Sequence, residues 1–183
     1  MADLALSCDR YTYAEYAKWE EDFRCELIGG VVYMMASPSE WHQRVVTRLI
    51  SKLANLLEGK NCEPFVAPFD VRLFPRKDGS DDNVVQPDVI VVCDKSKLDG
   101  KACVGAPDVV FEVLSDSTKV MDLRVKRELY KSAGVKEYWV VAKDHAIRWS
   151  WANDTDEELR FPRVKGVISM QVAALQAAIE LDI

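Results

Sequence analysis

Apolar residues recur along the chain in two periods, one helical and one alternating, and the breaks between these runs outline the elements. Thr12 stands three residues before Glu15, a capping-box spacing, and predicts an aromatic-rich helix from Tyr13 to Glu21. Phe23 to Ile28 and Val31 to Ala36 read as two strands joined at Gly29-Gly30, a hairpin signal. After the break at Ser37-Pro38-Ser39, the stretch Glu40 to Glu58 sets Val45, Leu49, Leu53, Leu56 and Leu57 on one helical stripe, with Gly59 ending it. Cys62 to Ala67 and Phe69 to Phe74 follow as strands interrupted by Pro68, and Pro75 to Asp82 is a charged loop.

Two short runs in the middle of the chain are almost wholly apolar. Gln86-Pro87-Asp88 leads into Val89 to Cys93, and a polar linker from Asp94 to Lys101 precedes Val109 to Leu114. The 24 positions from Asp88 to Glu112 fit a strand, a connection and a neighbouring strand. A loop at Asp116 to Lys119 then gives way to a helix over Asp122 to Ala133, closed by Gly134. Glu137 to Ala142 and Ile147 to Ala152 read as aromatic-rich strands around Lys143-Asp144, and Asn153 to Glu158 as an acidic loop. Leu159 to Phe161 and Gly166 to Ser169 add short strands, and Val172 to Ile179 reads as a final helix. This order predicts an α/β domain of mixed α+β character, with helices outside a mixed sheet.

The central runs each carry one carboxylate. In Val109 to Leu114 the side chains alternate, so Glu112 shares a face with Val110 and Leu114, and both faces are apolar, as in a strand covered on both sides. A buried ionised carboxylate costs several kcal/mol unless a cation or hydrogen-bond donors compensate it. Asp88 stands at the head of its strand, where a turn-forming Asp is the simpler explanation. Paired with Glu112 it offers two hard oxygen ligands suited to Mg²⁺ or Mn²⁺. Lys126 lies on the following helix with Leu123, Leu129 and Tyr130 at helical spacing, so it reaches inward, or lies on the surface beside Arg124, Arg127 and Lys131. Glu26 interrupts its strand in the same way and has Arg24 as a candidate partner. His42, at the head of the long helix, reaches toward the sheet's end or serves as a packed or capping side chain.

Length and charge narrow the classes. The 183 residues fit one domain spanning 1–183, and 49% hydrophobic residues exclude intrinsic disorder. A net charge of −6 makes the chain as a whole a poor electrostatic partner for nucleic acid, so phosphate chemistry has to be local. Five cysteines, Cys8, Cys25, Cys62, Cys93 and Cys103, are widely spaced without a CxxC pair, which points away from a disulfide framework or a zinc site and toward a reducing interior. No apolar run approaches the ~18 residues of a membrane span, and a cytoplasmic location is expected.

An Asp at the start of one strand, a Glu within the next and a nearby Lys resemble the PD-(D/E)XK nuclease superfamily. More closely, the stretches CELIGGVVYMM, SPSEWHQRVVTRLISKL, VVQPDVIVVCD and GAPDVVFEVLSDSTKVMDLRVKRELYKSAGVKEYWVV resemble the Uma-type family of restriction endonucleases, across Tyr11 to Ala142. The resemblance implies a restriction-endonuclease-like core, a homodimer, Asp88 and Glu112 as metal ligands, and Glu26 as a further acid. The superfamily's usual lysine, two residues after the Glu, is Leu114 here, and the Uma-type pattern places that lysine on the next helix, at Lys126. A second departure is Gly29, where related sequences usually carry an Asp before the turn Gly.

The expected function is therefore metal-dependent endonucleolytic hydrolysis of DNA. Asp88, Glu112, Lys126 and Glu26 are its catalytic residues, and His42 and Gln86 support them. The alternative is a non-catalytic dimeric binding or regulatory module that keeps the nuclease fold, which the acidic net charge favours.

Overall fold

The computed structural model describes residues 9–19, 23–115, 119–151 and 156–183. Among these residues two sheets form. An eight-stranded sheet runs in the order β13-β12-β11-β10-β9-β8-β6-β3 and a five-stranded sheet in the order β2-β1-β5-β4-β7. The larger sheet contains β3 (Glu63–Val66), β6 (Val89–Val92), β8 (Val109–Val113), β9 (Glu137–Val141), β10 (His145–Ser150), β11 (Glu157–Val164), β12 (Val167–Val172) and β13 (Ala177–Asp182). The smaller contains β1 (Cys25–Ile28), β2 (Val31–Met34), β4 (Asp70–Arg72), β5 (Val84–Val85) and β7 (Ala102–Val104). One pairing in each sheet is parallel, β8 with β9 and β4 with β7, and the others are antiparallel. The expectation of a mixed α+β fold with mixed sheet is met.

The middle of the larger sheet is covered on both faces, as its apolar runs require. Val89, Val91, Val109, Phe111, Val113, Trp139 and Val141 pack against α2 (Glu40–Leu57) through Val45, Val46, Leu49, Leu53 and Leu57. The alternate residues Ile90, Val92, Val110, Tyr138 and Val140 pack on the other side, with Val71, Val85 and Cys103 of the smaller sheet and Tyr130 of the helix α3 (Arg127–Ala133). Glu112 belongs to that second face and is 5% exposed. The strand thus carries a carboxylate into a region that solvent barely reaches.

Local signals explain most boundaries. Ser39 accepts a hydrogen bond from the His42 N–H and starts α2 at the expected residue. The β1–β2 hairpin turns through Gly29 and Gly30 at φ 56° and 79°, the left-handed pair that a two-residue turn demands. The first helix is only α1 (Tyr13–Tyr16), because beyond it Trp19 folds back onto Tyr11 and Tyr16, with ring centroids 5.3 Å apart in each pair. Its expected extension to Glu21 and the loops at Asp116 to Lys119 and Asn153 to Glu158 run partly into positions outside the described residues.

Two expectations are corrected. Val172 to Ile179 does not form a helix: one 3₁₀ turn, Ala173–Leu175, leads through Gln176 into β13. Pairing with β12 buries Ile179 and Leu181 on alternate positions, and that burial outweighs the helix propensity of the local residues. Two short strands stand between the expected elements: β5 follows the loop Pro75 to Asp82 and β7 follows the linker Asp94 to Lys101, formed by pairing with distant β1 and β4. Cys62 and Cys93 are joined by a disulfide, since the antiparallel register of β3 with β6 brings together cysteines 31 positions apart. Cysteine spacing therefore gives no argument for a reducing compartment. No helix among the described residues is long and apolar enough to cross a membrane.

Candidate active site

Antiparallel pairing of β6 with β8 sets Val89 opposite Phe111, which places Asp88 opposite Glu112 at one end of the pair. The Asp88 carboxylate is held by two donors. Its Oδ2 accepts from the Val113 backbone N–H at 2.7 Å and lies 3.0 Å from His42 Nε2, which comes from the first turn of α2. His42 thus joins the site, while its Nδ1 is buried with no hydrogen-bond partner among the described residues.

Glu112 is held from the opposite layer. Its Oε1 accepts from Lys126 Nζ at 2.9 Å and from the Tyr130 hydroxyl at 3.0 Å. Its Oε2 faces the Asp88 N–H at 3.4 Å. One oxygen of each carboxylate is therefore firmly bonded, and Asp88 Oδ1 and Glu112 Oε2 are the two least engaged.

Lys126 is inward, not a surface lysine. Its Nζ donates to Glu26 Oε1 at 2.9 Å as well as to Glu112, and Asp122 Oδ1 lies 3.8 Å away. The lysine side chain is 6% exposed. Glu26, in the middle of β1, takes this ammonium and the Gln86 N–H at 3.0 Å rather than Arg24. Gln86 in turn donates from Nε2 to Asp70 Oδ1 at 2.9 Å and to the Tyr16 hydroxyl at 3.3 Å. Glu26, His42, Gln86, Asp88, Glu112 and Lys126 thus form one connected set.

In the helix carrying Lys126 a π-helical segment, Met121–Lys126, precedes α3. A four-residue step overshoots a full turn of α-helix and falls short of one in the wider π-helix. One step of each cancels the drift, so Asp122, Lys126 and Tyr130 line up on one buried face. In the sequence Tyr130 stands out only as a neighbour of Lys126 at helical spacing and Asp122 only as the helix start, although their spacing of four around Lys126 is legible there. Asp70 and Tyr16 carry no comparable signal, because only tertiary pairing brings them to Gln86.

Electrostatics follow from this crowding. Burial pushes the Glu112 carboxyl well above the ordinary glutamate value, Asp88, Asp122 and Glu26 add to the rise, and Lys126 opposes it. Burial alone would lower the Lys126 ammonium, but Glu112, Glu26 and Asp122 outweigh it and hold it well above the usual lysine range. Among the described residues the local excess is negative, one ammonium against three carboxylates within 4 Å. No group of three or more His, Cys, Asp or Glu residues among them has the arrangement of a ready-made metal cage. The donor set is instead a pair of hard carboxylate oxygens in an over-acidic pocket, which fits Mg²⁺ or Mn²⁺ held by one or two carboxylates with water and phosphate.

Comparison with known proteins adds three findings. A crystal structure described as "a putative nuclease belonging to DUF820", from Anabaena variabilis, superposes with a TM-score of 0.72 at 16% identity, covering 92% of this chain and 94% of that one, and so shares the fold. A Synechocystis protein named "Uncharacterized protein slr1290" is 32% identical over 118 residues, 63% of this chain; the match spans 60% of that relative's length. A family model described as "Uma2: Putative restriction endonuclease" matches residues 13–181. That match runs through both sheets and every residue of the acidic pocket, and the chain belongs to the Uma2 family.

Proposed function

We propose that the chain is a metal-dependent endonuclease that hydrolyses phosphodiester bonds in DNA as a single catalytic domain. The observation that carries this reading is the opposition of Asp88 and Glu112 across β6 and β8, with Asp88 Oδ2 and Glu112 Oε1 each held by two partners and the other oxygen of each less engaged among the described residues. Restriction-endonuclease-like families generally use divalent metals, and Asp88 and Glu112 would hold Mg²⁺ or Mn²⁺ here. A bound cation supplies Lewis-acid polarisation of the phosphate and a water of lowered pKa.

The chain's own residues have separate tasks. His42 and the Val113 N–H fix Asp88, and Tyr130 and Lys126 fix Glu112. Lys126 is the group that stabilises negative charge developing on the phosphate, and Glu26 keeps its ammonium at the site. Gln86 fixes Glu26 through its backbone N–H. A homodimer working in the cytoplasm is part of the same proposal.

The test is cleavage of a panel of single-stranded, duplex and branched DNA by purified protein with Mg²⁺ or Mn²⁺. Cleavage by the wild type, with a loss of at least ~100-fold in Asp88→Asn and Glu112→Gln, is expected for removal of a metal ligand. No cleavage and no metal binding would overturn the reading. A second reading, a non-catalytic dimeric module, is favoured by the net charge of −6 and by the closure of Lys126 onto Glu26 and Glu112. DNA binding without cleavage in every metal would select it.

A further inference from the structure

We infer that Tyr130 is a positioning residue for Glu112: its hydroxyl fixes which carboxylate oxygen is turned toward Asp88 and so sets how well the pair binds a divalent cation. The inference rests on the proposed metal-dependent reading and goes beyond it, because Tyr130 lies outside the set of acids and lysine to which that chemistry is assigned.

Glu112 Oε1 has two donors of different character. Lys126 sits on a long flexible stem and shares its ammonium with Glu26 at 2.9 Å, while Asp122 lies 3.8 Å away. A lysine that stabilises phosphate charge has to turn from Glu112 toward the phosphate. Tyr130 has no such freedom. It is fully buried, its ring packs against Tyr138 at a centroid distance of 4.9 Å, and it belongs to the apolar cluster containing Val110, Val135 and Val140. Its hydroxyl is therefore the donor that stays on Oε1 when Lys126 moves, and it keeps Oε2 directed at Asp88. Hydrogen bonds of this kind, one shell behind a ligand, hold carboxylates in their binding orientation.

Tyr138 provides an internal control. It is buried in the same stack, and its hydroxyl donates to the Asp122 backbone carbonyl at 3.1 Å rather than to Glu112. Tyr130→Phe and Tyr138→Phe each remove one buried hydroxyl bond and keep the ring, so a merely structural role affects both alike.

The experiment is titration of metal-free protein with Mn²⁺ by calorimetry, with thermal unfolding of the metal-free forms measured alongside. Y130F is expected to bind Mn²⁺ roughly 10-fold more weakly than wild type, and Y138F within about twofold of it. Equal affinity in Y130F, or equal weakening in the two variants, overturns the inference while leaving the metal-dependent reading intact, provided wild type binds and Glu112→Gln does not. Absence of Mn²⁺ binding in wild type overturns both. If Y130F does not fold, the ¹³C-labelled Tyr130 Cζ resonance of wild type is followed during Mg²⁺ titration. A shift that tracks saturation is expected, and an unmoved resonance at saturation overturns the inference.

Discussion

Two buried ionic clusters in this protein are built on opposite plans. Arg72 and Asp81 form a closed pair: Nε and Nη2 donate to the two carboxylate oxygens at 2.8 and 2.7 Å, the Arg76 N–H adds a third bond at 3.2 Å, and the guanidinium lies 3.8 Å from the Tyr13 ring centroid. One cation meets one acid, and both oxygens are occupied. Among the described residues, the Lys126 ammonium meets Glu26, Glu112 and Asp122 together, and Glu112 Oε2 has a long contact of 3.4 Å. A structural ion pair lowers its desolvation cost by saturating its partners. In the Lys126 cluster Glu112 Oε2 is less saturated than either Asp81 oxygen among the described residues, which leaves it better placed to meet another cation.

The largest expected effect comes from Lys126→Met, which keeps the side-chain volume and removes the ammonium that, among the described residues, lies within 4 Å of Glu26, Glu112 and Asp122. A stability loss of about 3–5 kcal/mol is expected in urea unfolding near neutral pH. A loss under about 1 kcal/mol would mean that the acids are already largely protonated and that the cluster is no more charged than an ordinary polar core. Asp81→Asn should cost less, about 1–3 kcal/mol, because solvent reaches part of the Arg72 side chain left unpaired. If D81N proves the more damaging of the two, the ranking of open and closed clusters is reversed.

The smallest effect separates the clusters by sign. Burial raises the Asp81 carboxyl, but hydrogen bonds from Arg72 and the Arg76 N–H outweigh it and hold it below its ordinary value of 3.8. Its stabilising contribution is present above that pH and is lost as pH falls through the folded value. Glu112 is raised above its ordinary 4.5, so the native state keeps the proton longer than the unfolded chain does. Its contribution is fully present below 4.5 and declines as pH rises toward the folded value. Urea midpoints measured across pH should show D81N flattening the acid limb and Glu112→Gln flattening the decline above 4.5. The same limb flattened by both variants would erase the distinction.

Short-range signals reach far in this chain. The Ser39 cap, the stripe Val45 to Leu57 and the Gly29-Gly30 turn announce α2 and the first hairpin, because each depends on residues within a few positions of one another. The alternation in Val109 to Val113 announces a strand covered on both faces and an expensive carboxylate at Glu112. That cost, together with the family resemblance, is enough to select Asp88, Glu112, Lys126 and Glu26 as the residues to examine.

What they do to one another belongs to the tertiary structure. Glu26 and Lys126 stand 100 positions apart in the chain and meet at 2.9 Å, so no local pattern distinguishes that partner from Arg24. The same limit hid the disulfide between Cys62 and Cys93, the strands β5 and β7, and the conversion of Val172 to Ile179 from helix to hairpin. Residue type and spacing decide what a segment can form and what its burial costs. Which oxygen faces which donor, and whether a charge is matched or left in excess, is decided only when distant elements pack and exclude water from between them.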